Sequence, residues 1–125
     1  LVVALDKATS QRDEPLQCLI QVNLDPDAPE HRGGCLPADV PALAAAINAC
    51  SGLELRGVMG VAPLDHDPDP AFALLQQVSQ ALQTDFATAT WISAGMSEDY
   101  PNALKYGATH LRIGSTILGS RTVVG

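Results

Sequence analysis

Lysine is scarce in this chain: Lys7 and Lys105 are the two in 125 residues. There are only seven basic residues against fourteen acidic ones, giving a net charge of −7. An acidic surface repels phosphate backbones, which excludes nucleic acid as a natural partner. An anionic ligand has to be met by a local positive site within that field. No apolar run approaches the ~20 residues of a membrane-spanning helix, so no membrane partner is expected. Cysteine is sparse and odd in number. Cys18, Cys35 and Cys50 contain no CxxC pairing and read as reduced thiols of a cytoplasmic protein. No basic stretch leads into an apolar one, so no signal peptide is visible. The first residue is Leu1 rather than Met, and the expectation is that the chain starts inside a longer gene product. What is present is 46% hydrophobic residues, enough for one compact core, and a charged fraction of 17% that argues against disorder.

Those hydrophobic residues alternate between two periods. Residues 1–11 carry apolar side chains at helical spacing. "LQCLIQVNL" (16–24) is a continuous apolar run and reads as a buried strand; "DPDAPEHRGG" (25–34) is a loop by its Asp, Pro and Gly content. "PADVPALAAAINACSG" (37–52) predicts a helix, with Pro37 at its start, Pro41 tolerated in the first turns and Gly52 as C-terminal cap. The unit then repeats: strand 53–61, loop 62–70, and an amphipathic helix 71–86 with Phe72, Leu75, Val78 and Leu82 on one face. Strand 89–95, helix 97–108 with Gly107 at its end, and strand 109–115 follow, and "TILGS" (116–120) suits one more helical turn. Four short apolar strands joined through helices define an α/β protein with a parallel sheet. Two architectures fit, a doubly wound open sheet or a piece of a (β/α)8 barrel. A whole barrel takes roughly 250 residues.

Either architecture places ligands at the carboxyl ends of the strands. "SAGMS" (93–97) leads there into a helix, and the neighbouring strand ends in "RIGS" (112–115). Small residues let backbone approach a ligand, and free N–H groups at a helix start attract anions. Ser97 is the expected N-cap. Two adjacent Gly/Ser turns form a candidate cradle for phosphate; the plainer reading is that Gly95 and Gly114 are turn glycines and Ser97 only a cap. His31, His66 and His110 have no ligand spacing and read as solvent histidines, "LDHDPDP" (64–70) as a polar loop, and Trp91 as core. Asn23 and Met59 stand at strand ends. Asn23 reads equally as pocket lining or turn former, and Met59 as core packing or as a residue facing a bound ring.

"WISAGMSEDYPNALKYGATHLRIGSTILGSR" (91–121) resembles the carboxyl-terminal signature of the pyridoxal 5′-phosphate homeostasis proteins, the YggS-like family. "LRGVMGVAPL" (55–64) and "LIQVNLDPDAPEHRGG" (19–34) resemble further blocks of that family in family order. The resemblance covers nearly the whole chain. It implies the carboxyl-terminal half of a (β/α)8 TIM-type barrel of the alanine-racemase kind, forming a single domain over 1–125 that binds pyridoxal 5′-phosphate and serves vitamin B6 and amino-acid homeostasis in the cytoplasm without an established turnover. Carried over by motif, Ser97, Gly114 and Ser115 hold the phosphate and Arg112 faces the pyridine nitrogen. Met59 is added as a candidate for the ring. A guanidinium does not accept the ring proton, which leaves the nitrogen neutral and the cofactor a weaker electron sink. That suits binding better than broad carbanion chemistry; a racemase-like enzyme and a bare phosphate-binding module are the alternatives.

The resemblance also shows what is missing. The family's lysine, which holds the cofactor aldehyde as a Schiff base, lies upstream of every block found here. Lys7 falls in a helix before the first strand, and Lys105 on a helix face expected to look outward. Neither matches. Arg32 stands where the family often has lysine. The expected partners are therefore a small-molecule cofactor and an upstream half-barrel or second chain covering the open sheet edges.

Overall fold

The computed structural model describes residues 2–8, 13–25, 33–64 and 66–113. The elements alternate: α1 (Val2–Ala8), β1 (Leu16–Gln21), a 3-10 turn (Pro37–Asp39) running into α2 (Val40–Asn48), β2 (Leu53–Met59), α3 (Pro68–Asp85), β3 (Trp91–Ser93) and α4 (Tyr100–Lys105). The sheet has the order β1-β2-β3, and both pairings are parallel. Among the described residues the fourth expected strand continues this order as a single parallel bridge, Ser93 to His110. Thr109 explains why it is no longer. Its hydroxyl accepts from the Ile92 N–H at 2.8 Å and its own N–H donates to the Ile92 carbonyl, so a side chain does part of the ladder's work.

Leu53, Leu55, Val58 and Ile92 turn one face of the sheet into the core. They pack with Val40, Ala44 and Ile47 of α2 and with Phe72, Leu75 and Leu82 of α3. Phe72 is 2% exposed and is the largest fully buried side chain among the described residues. The helices form where the apolar spacing predicts them, with shifted ends. α3 starts at Pro68 rather than residue 71, because Asp67 caps it by accepting from the Asp69 N–H and Pro68 suits the first helical position. α2 ends at Asn48, four residues before the expected glycine cap. Gly52 instead donates its N–H to Asp6 of α1 and its carbonyl accepts from Leu16, tying the amino ends of β1 and β2 to that helix. α4 is shorter than residues 97–108 predict, but Gly107 does end it. At φ +90° its N–H bonds the Leu104 carbonyl while Ala108 bonds that of Ala103, the paired arrangement a left-handed residue allows.

β2 carries an irregularity that matters below. Cys18 pairs with Leu55 and Leu19 with Gly57, so Arg56 is an extra residue opposite no partner in β1. Gly57 lies so close to β3 that a Cβ there would overlap the Trp91 carbonyl. The bulge keeps Leu55 and Val58 both on the helix-covered face and leaves Arg56 on the other. Among the described residues no helix is long and apolar enough to cross a membrane.

Candidate functional site: the arginine at the carboxyl ends of the strands

The strand ends are knitted by backbone bonds: Val22 to the Met59 carbonyl at 2.8 Å, Gly60 to Ser93 at 3.1 Å, Ala94 to His110 at 3.0 Å and Arg112 to Gly95 at 2.9 Å. Arg112 then reaches back across the end of β3. Its Nη2 donates to the Gly60 carbonyl, just past β2, at 3.0 Å. Its Nε is buried and has no hydrogen-bond acceptor among the described residues. A guanidinium held at one nitrogen and unanswered at another, in a chain of net charge −7, is the local positive site an anionic or electron-rich ligand requires. Met59 immediately precedes the carbonyl that Arg112 grips. It pairs in register with Ser93, on the face opposite Val58 and Ile92, and is half-buried.

Ser97 differs from its expected role. α4 begins at Tyr100, so Ser97 lies in the turn before it and is not the N-cap. The cap position falls to Asp99, whose carboxylate accepts from the Met96 N–H at 2.8 Å. That amide is consumed within the turn. Gly95, at φ +99°, serves packing: a Cβ there would sit 2.7 Å from the Ala103 Cβ, so the glycine lets α4 approach. Gly114 and Ser115, the other half of the expected cradle, lie outside the described residues, as do His31, Arg32 and residues 116–120.

Both lysines stand away from this mouth. Lys105 donates to Asp69 at 3.2 Å and its side chain is 64% exposed. Asn102 donates to the same carboxylate at 2.7 Å. The Asn102 hydrogen bond and then Lys105 hold Asp69 below the usual carboxylate range, and the bond to Asp69 raises Lys105 above its own. Lys7 follows Asp6, which contacts Gly52 at the amino end of β2, opposite the mouth. Burial pushes the Cys18 and Cys35 thiols up, and all three cysteines are free, in keeping with unreactive reduced thiols. No cluster of metal-ligand side chains occurs among the described residues.

A cavity of about 620 Å³ opens beside the mouth, lined by Asn23, Leu36, Pro63, His66 and Leu74 together with Asp25 and Asp67. Asn23 lines it, and its Oδ1 accepts from the Asp25 N–H, the local bond of a turn former. Its carboxylates disfavour phosphate. Trp91 is not core, as its apolar context suggests. It is half-exposed, with the Arg56 guanidinium 4.5 Å from its ring and the His110 ring tilted against it at a centroid distance of 4.6 Å. His110, expected as a plain solvent histidine, also bonds Thr109 at 2.7 Å. Sequence reasoning missed the Gly60 carbonyl, Asp69 as lysine anchor and Arg56. Only Arg56 left a signal, a lone charge late in an apolar strand.

A family profile described as "Alanine racemase, N-terminal domain" matches residues 2–122. The pyridoxal phosphate homeostasis protein of Mycobacterium tuberculosis is 42% identical over 97% of this chain and 50% of its own length. That of Schizosaccharomyces pombe is 36% identical over 86% of this chain and 46% of its own. Among solved structures, PipY of Synechococcus elongatus with pyridoxal phosphate bound superposes with a TM-score of 0.75 at 30% identity, over 87% of this chain and 51% of PipY. Its form without the cofactor superposes at 0.79 and 29% identity, over 90% of this chain and 54% of PipY. The fold is thus that of part of an alanine-racemase-type barrel. The chain belongs to the alanine racemase N-terminal domain family and is similar to its pyridoxal phosphate homeostasis branch. It spans about half the length of the curated relatives it matches.

Proposed function

We propose that this chain forms the phosphate- and ring-facing side of a pyridoxal 5′-phosphate site and acts in cytoplasmic cofactor homeostasis as a binder rather than a catalyst. The observation that carries the proposal is Arg112, clamped on the Gly60 carbonyl with a buried Nε that has no acceptor among the described residues. The residues present fit the group. Arg112 offers N–H donors to the pyridine nitrogen and is too basic to protonate it. Met59 supplies apolar surface to the ring, and Ser97, Gly114 and Ser115 supply hydroxyl and amide donors to the phosphate. When bound, the cofactor supplies an aldehyde and an electron-accepting ring. This chain's own residues orient the ring and hold its nitrogen unprotonated.

Neither lysine answers the aldehyde. Lys105 is engaged by Asp69, and Lys7 belongs to the opposite end of the sheet. The chain alone therefore binds the cofactor reversibly, and covalent attachment requires a lysine from an additional half-barrel that closes the sheet. Borohydride reduction in the presence of pyridoxal phosphate, followed by peptide mass mapping, tests this. The expected result is no stoichiometric pyridoxyl group on either residue. A stoichiometric adduct on Lys7 or Lys105 would mean that the site is complete without a further segment.

A further inference from the structure

We propose that the cavity beside the mouth is a second binding site, and that it takes a small organic cation: an ammonium group on an apolar body. The inference is independent of the cofactor reading, since neither Arg112 nor Met59 lines this cavity. At about 620 Å³ it has the size of a small-molecule pocket, for which roughly 300–1,000 Å³ is usual. It lies where the loop after β1 meets the segment leading into α3, and most of its lining is apolar. Leu24 and Ala71 are buried there, and Leu36 adds half-exposed apolar surface. Pro37, Pro63 and Pro70 fix the backbone around it, so little ordering is lost when a ligand enters.

The polar groups of the lining select the charge. Asp25 comes from the end of β1 and Asp67 from the start of α3, and no lysine or arginine lines the cavity among the described residues. The helix starts that would ordinarily attract an anion have lost donors. Pro68 and Pro70 have no N–H, and the Asp69 N–H between them is taken by Asp67 at 3.0 Å. At the other helix start Pro37 likewise has no N–H, and the Asp39 N–H bonds the Leu36 carbonyl at 2.9 Å. An anion is therefore repelled by the carboxylates without amides to offset them. A bare metal ion lacks a ligand set, since no group of three metal-binding side chains occurs among the described residues. A neutral apolar ligand would strip water from two carboxylates and return no hydrogen bond. A cation with an apolar body answers both parts of the lining. Its ammonium donates to the carboxylate oxygens and its body covers the leucines.

The test is calorimetric titration of the 125-residue chain with three probes that share one apolar body: phenethylammonium, phenethyl alcohol and hydrocinnamate. The pH is held above the histidine range, so that His66 adds no positive charge to the lining. The ammonium should bind about tenfold or more tightly than the alcohol, and the carboxylate should not bind. Asp25→Asn and Asp67→Asn should each weaken the ammonium about threefold and leave the alcohol unchanged. Asparagine also caps helices, so the second variant keeps the start of α3. Asp85→Asn, which removes the same charge from the far end of α3, should change nothing. Leu36→Arg sets a cation at an exposed position of the lining and should weaken the ammonium about tenfold or more. Arg112→Met should leave ammonium binding intact, which separates a failure here from a failure of the cofactor site. Equal binding of ammonium and alcohol, binding of the carboxylate, no binding of the ammonium, or full ammonium affinity in both Asp25→Asn and Asp67→Asn overturns the proposal.

Discussion

The two faces of one sheet differ in kind. On the helix-covered face Leu53, Leu55, Val58 and Ile92 are buried among α2 and α3, and none has a polar group to satisfy. On the other, Glu54, Arg56, Trp91 and Met59 are half-exposed, and Arg56 there, like Arg112 at the strand ends, has a buried Nε without an acceptor among the described residues. Adjacent residues in one strand thus serve separate ends. One face contributes stability by removing apolar area from water. The other keeps polar and aromatic groups half-exposed toward the space enclosed by the strands.

The strongest way to break the apolar face is Phe72→Ala. Loss of so large and fully buried a side chain should cost about 3–5 kcal/mol in urea unfolding, enough to threaten the fold. Gly57→Ala strikes the junction of the two faces. The new Cβ overlaps the Trp91 carbonyl, so β3 must move off β2. A loss of about 1–3 kcal/mol, with Trp91 emission shifted to the red, is expected. Arg112→Met should instead separate function from stability. Pyridoxal phosphate affinity should fall roughly tenfold or more in equilibrium dialysis, because a charge-assisted donor is lost. Stability should stay within about 1 kcal/mol, since one half-exposed hydrogen bond to Gly60 is given up.

The smallest effect lies on the outer rim. Asp69 has a depressed folded value, so its contribution is fully present above the ordinary aspartate range near pH 4 and is lost as pH falls through the folded value. Lys105 is raised, so its share is present below its ordinary range and is lost as pH climbs through the folded value. Lys105 is exposed and Asp69 half-buried, so solvent screens the pair and the effect is small. Denaturation at pH 6 and pH 3 should show a smaller acid loss in Asp69→Asn than in the parent.

Much of this was legible in the residues because the two periods are strong. Continuous apolar runs joined by helical patterns specify parallel strands under helices, and the Phe72, Leu75, Leu82 stripe lies on the buried face of α3 as its spacing predicts. Element ends were less legible, since they depend on competition between caps. Asp67 out-competed the loop reading of 62–70, and Asp99 rather than Ser97 took the turn before α4. The motif placed Arg112 at a strand end but not its partner, because a carbonyl two strands away carries no side-chain signature. The bulge was invisible for the same reason: register is a relation between strands, and the apolar alternation of "LELRGVM" does not show which residue is the extra one. Trp91 was misassigned to the core because a large apolar side chain opening an apolar strand reads as buried, while its polar partners Arg56 and His110 lie far from it in sequence.

The claim at the centre of the account is that this chain recognises the ring and phosphate and leaves the aldehyde unheld. Pyridoxine 5′-phosphate has the same ring and phosphate but an alcohol in place of the aldehyde. Equilibrium dialysis of the 125-residue chain against each compound measures the difference directly. The account predicts affinities equal to within about fivefold, the span of an ordinary hydrogen bond, with both weakened in Arg112→Met. Pyridoxal phosphate binding hundreds of times more tightly than its alcohol would contradict it, because only capture of the aldehyde by a residue of this chain supplies such a gap.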